Sequence, residues 1–135
     1  MWKAMIAALW AIVLTNCGME TTKSVAIPLT VDLSPSRADG AMWRYGGSEL
    51  AVDVVANDAT ASLYWEVRDA QVLDRATNTS VLVAPNELHS FFTDTETGVK
   101  ARSTKQPLRF EVHAWAVSED GEVSPTVVRS FCLLD

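Results

Sequence analysis

The chain is poor in the residues that carry catalysis. It has two cysteines and two histidines in 135 residues. Neither His89 nor His113 stands at a zinc-binding spacing with the other or with a cysteine, and no H-E-x-x-H occurs. The G-x-S-x-G nucleophile turn, the glycine-rich phosphate loop and the D-x-[DN]-x-[DN]-G calcium loop are also missing. No metal and no cofactor are therefore expected. Acidic residues are dispersed as on a soluble surface. Two of them could still meet in space, as in a small hydrolase, but a chain this short without pocket-forming insertions is expected to be no enzyme. Positive charge is scarce too: 11 Lys and Arg stand against 17 Asp and Glu, a net charge of −6. Nucleic acid and anionic lipid surfaces both select clustered Lys and Arg, so neither is an expected electrostatic partner. Ala4–Val13, the main apolar run, falls short of the roughly 20 residues that cross a bilayer.

That run is nevertheless informative. Lys3 precedes it and Leu14-Thr15-Asn16-Cys17 closes it, a charged n-region and a short h-region ending at a cysteine. A buried helix with Met5, Ile6, Leu9, Trp10, Val13 and Leu14 inward, plain secretion and a retained anchor are the alternatives. The tetrad resembles the bacterial lipoprotein box. Leu14 and Thr15 fit it, while Asn16 stands where that family usually has Gly, Ala or Ser. The resemblance implies cleavage before Cys17, acylation of its thiol and, through Gly18, transfer to an outer membrane if the host has one. Residues 1–16 are then a signal peptide, 17–24 the lipidated cysteine and a tether, and 25–135 the domain. Several acyl chains anchor stably, and a seven-residue tether reaches at most about 25 Å. Cys132 would be left single, and its neighbours Phe131, Leu133 and Leu134 suggest a buried, inert thiol.

The remaining 118 or so residues suffice for one core without a disulfide or metal. Their periodicity is close to two. Alternation marks strands at Val25–Leu33, at Leu50, Val52 and Val54, and at Leu63, Trp65 and Val67. Shorter ones are expected at Val72–Leu73, Val81–Val83 and Leu88–Phe92. The longest strand carries Leu108, Phe110, Val112, Ala114 and Ala116 on one face, and Val127–Leu134 closes the domain. Ser34–Gly40 is a turn cluster. The polar stretch Asp94–Gln106 is either a mobile connection or a projecting hairpin turning at Glu96-Thr97-Gly98. Seven or eight strands between Gly, Pro, Asn and Asp turns predict an all-β antiparallel sandwich.

The stretch from Phe110 to Pro125, with its alternating strand, polar turn with Gly, and Ser-Pro, resembles the last hairpin of a fibronectin type III or polycystin-type immunoglobulin-like module. Leu63-Tyr64-Trp65-Glu66-Val67 resembles the third strand of those families, where an inward Trp plugs the core. The tyrosine that usually marks the corner before the penultimate strand is absent. The resemblance implies an immunoglobulin-like sandwich with the third strand beside the penultimate one.

With Trp65, Phe110 and Val112 inward, Tyr64, Glu66, Arg68, Arg109, Glu111, His113 and Trp115 share one outward sheet face. A three-residue loop Glu119-Asp120-Gly121 would set Glu111 opposite Arg129 and turn Cys132 inward. The other register, with Arg129 opposite Val112 on the core face, would bury a charge. Aromatic and Arg residues dominate contact energy at interfaces, so Tyr64, Arg109, Glu111, His113 and Trp115 form a candidate recognition patch. The plainer reading is a solvated face of alternating charge. Trp43 and Tyr45, in the Gly-flanked stretch Trp43–Gly47, are a second candidate: a sugar-stacking loop, or a lid on the sandwich end. The leading expectation is an exported, membrane-anchored lipoprotein that binds a protein or polysaccharide of the cell envelope. A carbohydrate-binding accessory module and, further off, a small hydrolase are the alternatives.

Overall fold

The computed structural model describes residues 27–103 and 106–134 of the chain. The signal peptide, Cys17 and the tether expected from the sequence lie outside the described residues. Within them the chain builds two sheets. β1 (Val31–Ser34), β3 (Glu49–Ala56), β7 (Gly98–Arg102) and β6 (Phe92–Asp94) lie side by side in one. β2 (Trp43–Tyr45), β9 (Val127–Leu133), β8 (Leu108–Val117), β4 (Ser62–Asp74) and β5 (Thr79–Leu82) form the other. This is the all-β sandwich read from the alternation, with nine strands among the described residues in place of the seven or eight expected. One pair is parallel, β2 on β9, and the rest are antiparallel. No described helix is long and apolar enough to cross a membrane.

Period-two alternation fills the space between the sheets. Leu50, Val52 and Val54 of β3 share one buried core cluster with Leu108, Phe110, Val112 and Ala114 of β8. Phe110 stacks on Phe131 with centroids 5.4 Å apart, and Phe92 meets Phe110 edge-on at 5.0 Å. Offset and edge-on pairs are the arrangements the ring quadrupole favours. Trp65 packs against this core, and its indole N–H donates to Asp94 Oδ1 at 2.9 Å, joining β4 of one sheet to β6 of the other.

Several local expectations are corrected. Leu88–Phe92 is not a strand. Pro85–Glu87 forms a 3₁₀ turn and Leu88–Phe91 one helical turn, so only Phe92 opens β6. Pro85 suits the first helical position, where its missing N–H is not needed. Val72 and Leu73 do not make a separate strand. They continue β4 beyond a bulge between Arg68 and Gln71, where Asp69 has a φ of 54°. Trp43–Tyr45 is an edge strand and not a loop. The first strand, expected over Val25–Leu33, is Val31–Ser34; Ile27 is exposed, and the buried alternation begins at Leu29. At the start of the 94–106 stretch β6 and β7 do form a hairpin, turning through Thr95 N–H to the Gly98 carbonyl at 2.8 Å. It is not a projection, because Val99 and Ala101 are fully buried.

The β8–β9 connection departs from the expected register. The turn forms as expected, with Gly121 at φ 93° and Ser118 N–H bonded to the Glu122 carbonyl. Val117 then bridges Val123 and Ala116 meets Ser124, the register that would bring Glu111 to Arg129. From Val127 onward the partners are shifted by one: Glu111 faces Ser130, and Val112 faces Arg129. Ser124-Pro125-Thr126 absorbs one extra residue. Pro125 has no N–H for a ladder, and the Ser124 hydroxyl accepts from the Ala116 amide at 2.8 Å. The charge expected to be too costly on the inward side is partly relieved at the sandwich edge, the Arg129 Nε staying buried without a partner among the described residues. There Arg129 reaches Asp32 of β1 at 3.6 Å and donates to the Val128 carbonyl at 3.0 Å. Cys132 consequently faces outward between Arg44 and Arg109 and not into the core, yet it is buried, with no disulfide partner among the described residues.

Candidate binding surface

The outer face of the five-stranded sheet gathers most of the residues singled out in the sequence. Its rows follow the β4–β8 ladder: Tyr64 opposite Trp115, Glu66 opposite His113, Arg68 opposite Glu111 and, past the bulge, Gln71 opposite Arg109. Tyr64 and Trp115 stack with centroids 5.8 Å apart and planes 13° from parallel, and Tyr64 remains 45 % exposed. Such cross-strand aromatic pairs contribute roughly 0.2–1 kcal/mol each and hold both rings in one orientation.

The charges beside the rings pair along their own strands. Arg68 lies 2.7 Å from Glu66 Oε1, and the His113 Nε2 lies 2.9 Å from Glu111 Oε1. An exposed pair of the first kind is worth about 0–1 kcal/mol. Its effect here is to lay the Arg68 side chain toward the aromatic end of the sheet. Arg68, His113, Trp115, Val123 and Thr126 line a shallow open depression. A smaller hollow opens at the β4 bulge, bordered by Asp69, Gln71, Arg109 and Ser130. Among the described residues Arg109 has no carboxylate partner.

The depression contains a cation, an imidazole, an indole, a threonine hydroxyl and aliphatic carbon. These groups can recognise a ligand by stacking and charge. No cluster of metal-ligating side chains occurs among the described residues. The carboxyl groups with displaced proton affinity sit in exposed turns elsewhere. Asp58 is held below the usual carboxylate range by the Thr60 hydroxyl and amide, Asp120 by the Ser118 hydroxyl and the Glu122 amide, and Asp39 by Arg37.

The second candidate pair lies elsewhere. Trp43 aligns with inward-facing Phe131 and packs against the core, its Nε1 buried without a partner among the described residues. Tyr45 aligns with Leu133 on the same side of β2 and is 40 % exposed. Tyr64, Glu111, His113, Trp115 and Arg109 therefore share a surface that Trp43 and Tyr45 do not join. Val123, Thr126 and Val128 belong to that surface and were missed in the sequence. Ser124-Pro125 was the available signal, since a proline beside a ladder marks a bulge. Family models, curated proteins and solved structures yield no significant match to this chain.

Proposed function

We propose that the chain is an envelope-tethered, non-catalytic binding module of immunoglobulin-like build. It engages a protein or polysaccharide of the cell envelope through the outer face of its five-stranded sheet. The observation that carries this is the stacked Tyr64–Trp115 pair beside a shallow depression, on a face whose other members include Glu66, Arg68, Arg109, Glu111 and His113. The solvent face of an antiparallel sheet is ordinarily polar, and rigid aromatic anchors beside Arg are what binding hot spots are made of. Strand order supports the immunoglobulin-like build. First, second, fifth and fourth strands share one sheet of such modules, and third, sixth and seventh the other. β1, β3, β7 and β6 against β4, β8 and β9 follow that order, with Trp65 inward from β4. The tether rests on Leu14-Thr15-Asn16-Cys17 alone. A sugar-binding role for Trp43 and Tyr45 has less support, because Trp43 is packed against the core.

The test is partner recovery with Tyr64→Ala and Trp115→Ala, singly and together. Loss of a hot-spot aromatic costs on the order of 2 kcal/mol, enough to abolish recovery of a moderate-affinity partner. The circular-dichroism spectrum should stay β-rich. A double variant that retains every partner refutes the surface. Palmitate labelling tests the anchor separately: label should appear on the wild type and vanish in Cys17→Ser, and an unlabelled wild type removes the anchor.

A further inference from the structure

The four free sheet edges among the described residues are not equally guarded. β1 carries Asp32, β2 carries Arg44 and β6 carries Asp94. β5, Thr79-Ser80-Val81-Leu82, carries no charge and no proline, and all four residues are exposed. Charged side chains and proline are the usual means of keeping an edge from pairing with another strand. Only β5 lacks both. Its unpaired groups can be assigned. The Val83 amide donates to the Ala70 carbonyl at 2.8 Å, and the ladder runs on from Gln71↔Leu82 to Asp74↔Thr79. Hydrogen-bonded and non-bonded pairs alternate along an antiparallel ladder. Thr79 and Val81 therefore turn their main-chain groups to β4, and Ser80 and Leu82 turn theirs outward.

We propose that β5 is the contact edge of a symmetric dimer, in which a second copy of the chain pairs antiparallel about a two-fold axis at Val81. In that register Ser80 exchanges two main-chain hydrogen bonds with the partner's Leu82, and the axis repeats the exchange. Val81, 54 % exposed, meets the partner's Val81 at the non-bonded position, where side chains approach most closely. The residues just outside the strand, Thr77, Asn78, Ala84 and Pro85, carry no charge that would oppose the approach. A second copy is favoured over a foreign strand because one neutral segment supplies both halves of an isologous contact. With a net charge of −6 per chain, two copies approach at least electrostatic cost along a neutral edge. Four residues cover much less than the roughly 800 Å² per partner of a stable dimer, so the association is weak and concentration-dependent. This inference is independent of the partner-binding surface above.

Sedimentation equilibrium of the full chain in mild detergent, over a concentration series, tests it. The wild type should show a monomer–dimer equilibrium. Ser80→Pro removes an outward amide without touching the β4 ladder, and Val81→Lys sets two ammonium groups against each other on the axis. Each should weaken the dimer by about tenfold or more, with the thermal transition close to that of the wild type. If Ser80→Pro fails to fold, Val81→Lys decides. A wild type monomeric at every concentration overturns the proposal. So does a dimer of undiminished affinity in the folded variants, or pairing of β5 with an added foreign strand peptide and not with itself.

Discussion

Replacing Gly98 by Ala probes how tightly β3 and β7 are joined. Gly98 lies opposite Asp53, and a Cβ there would stand 2.0 Å from the Val52 carbonyl oxygen and 3.0 Å from the Asp53 Cα. Both obstacles are main chain, so no side chain can swing aside. The strands must part locally, yet Val52 and Val99 are 1 % and 2 % exposed and locked in the core. Overpacking of this kind costs about 1–3 kcal/mol, and a weakened ladder bond adds about 1 kcal/mol. The stiffer unfolded chain offsets about 0.4–1 kcal/mol. A net loss of about 2–3 kcal/mol is expected, a large part of the roughly 5–15 kcal/mol that holds a domain together. Urea unfolding followed by tryptophan fluorescence should show the midpoint falling by roughly 1–2 M. Gly46→Ala is the control, since its Cβ would meet nothing within 4 Å and its φ is not positive. Coincident midpoints for the two variants would refute this close approach of β7 to β3.

Other consequences can be checked on the same footing. Trp65→Phe and Asp94→Ala should each cost about 1 kcal/mol through the lost inter-sheet bond, with a coupling of similar size in the double-mutant cycle; independent, additive effects would contradict the bond. Ser124→Ala leaves the fully buried Ala116 amide without its 2.8 Å acceptor and should cost about 1–3 kcal/mol; an unchanged denaturation midpoint would show the bulge is not held by that hydroxyl. Asp120 should titrate below the ordinary aspartate value of about 3.9 in a carboxyl-detected NMR titration. Its contribution to stability is fully present above the unfolded-state value and is lost as pH falls through the folded-state value. Ser118→Ala should raise the midpoint, and no change would remove the hydroxyl as its cause.

Strands with long alternation were legible because the inward set is unbroken: Leu50-x-Val52-x-Val54, or Leu108 through Ala116. The seven outward residues of β4 and β8 followed from the same parity, and the structure brings Tyr64 against Trp115 as that parity requires. Illegibility came from places where one residue breaks the count. The bulge at Asp69 and the extra residue at Ser124–Thr126 each shift a register without altering local hydrophobicity. A one-residue slip reverses every side chain beyond it, which is why Cys132 and Arg129 exchanged their expected sides. β2 was unreadable for another reason. Three residues are too few for periodicity, and parallel pairing with β9 depends on contacts remote in sequence. Leu88–Phe91 satisfies a helical turn as well as a strand, and only Pro85 hinted which of the two forms.

The most direct measurement places a photo-crosslinking phenylalanine analogue at Tyr64 on one sheet face, or at exposed Val55 on the other, in cells producing the full chain. Irradiation should give a discrete adduct from position 64 that disappears when Trp115 is also changed to Ala, and none from position 55. No adduct from position 64, or equal adducts from both faces, would contradict a binding surface built on the stacked aromatic pair.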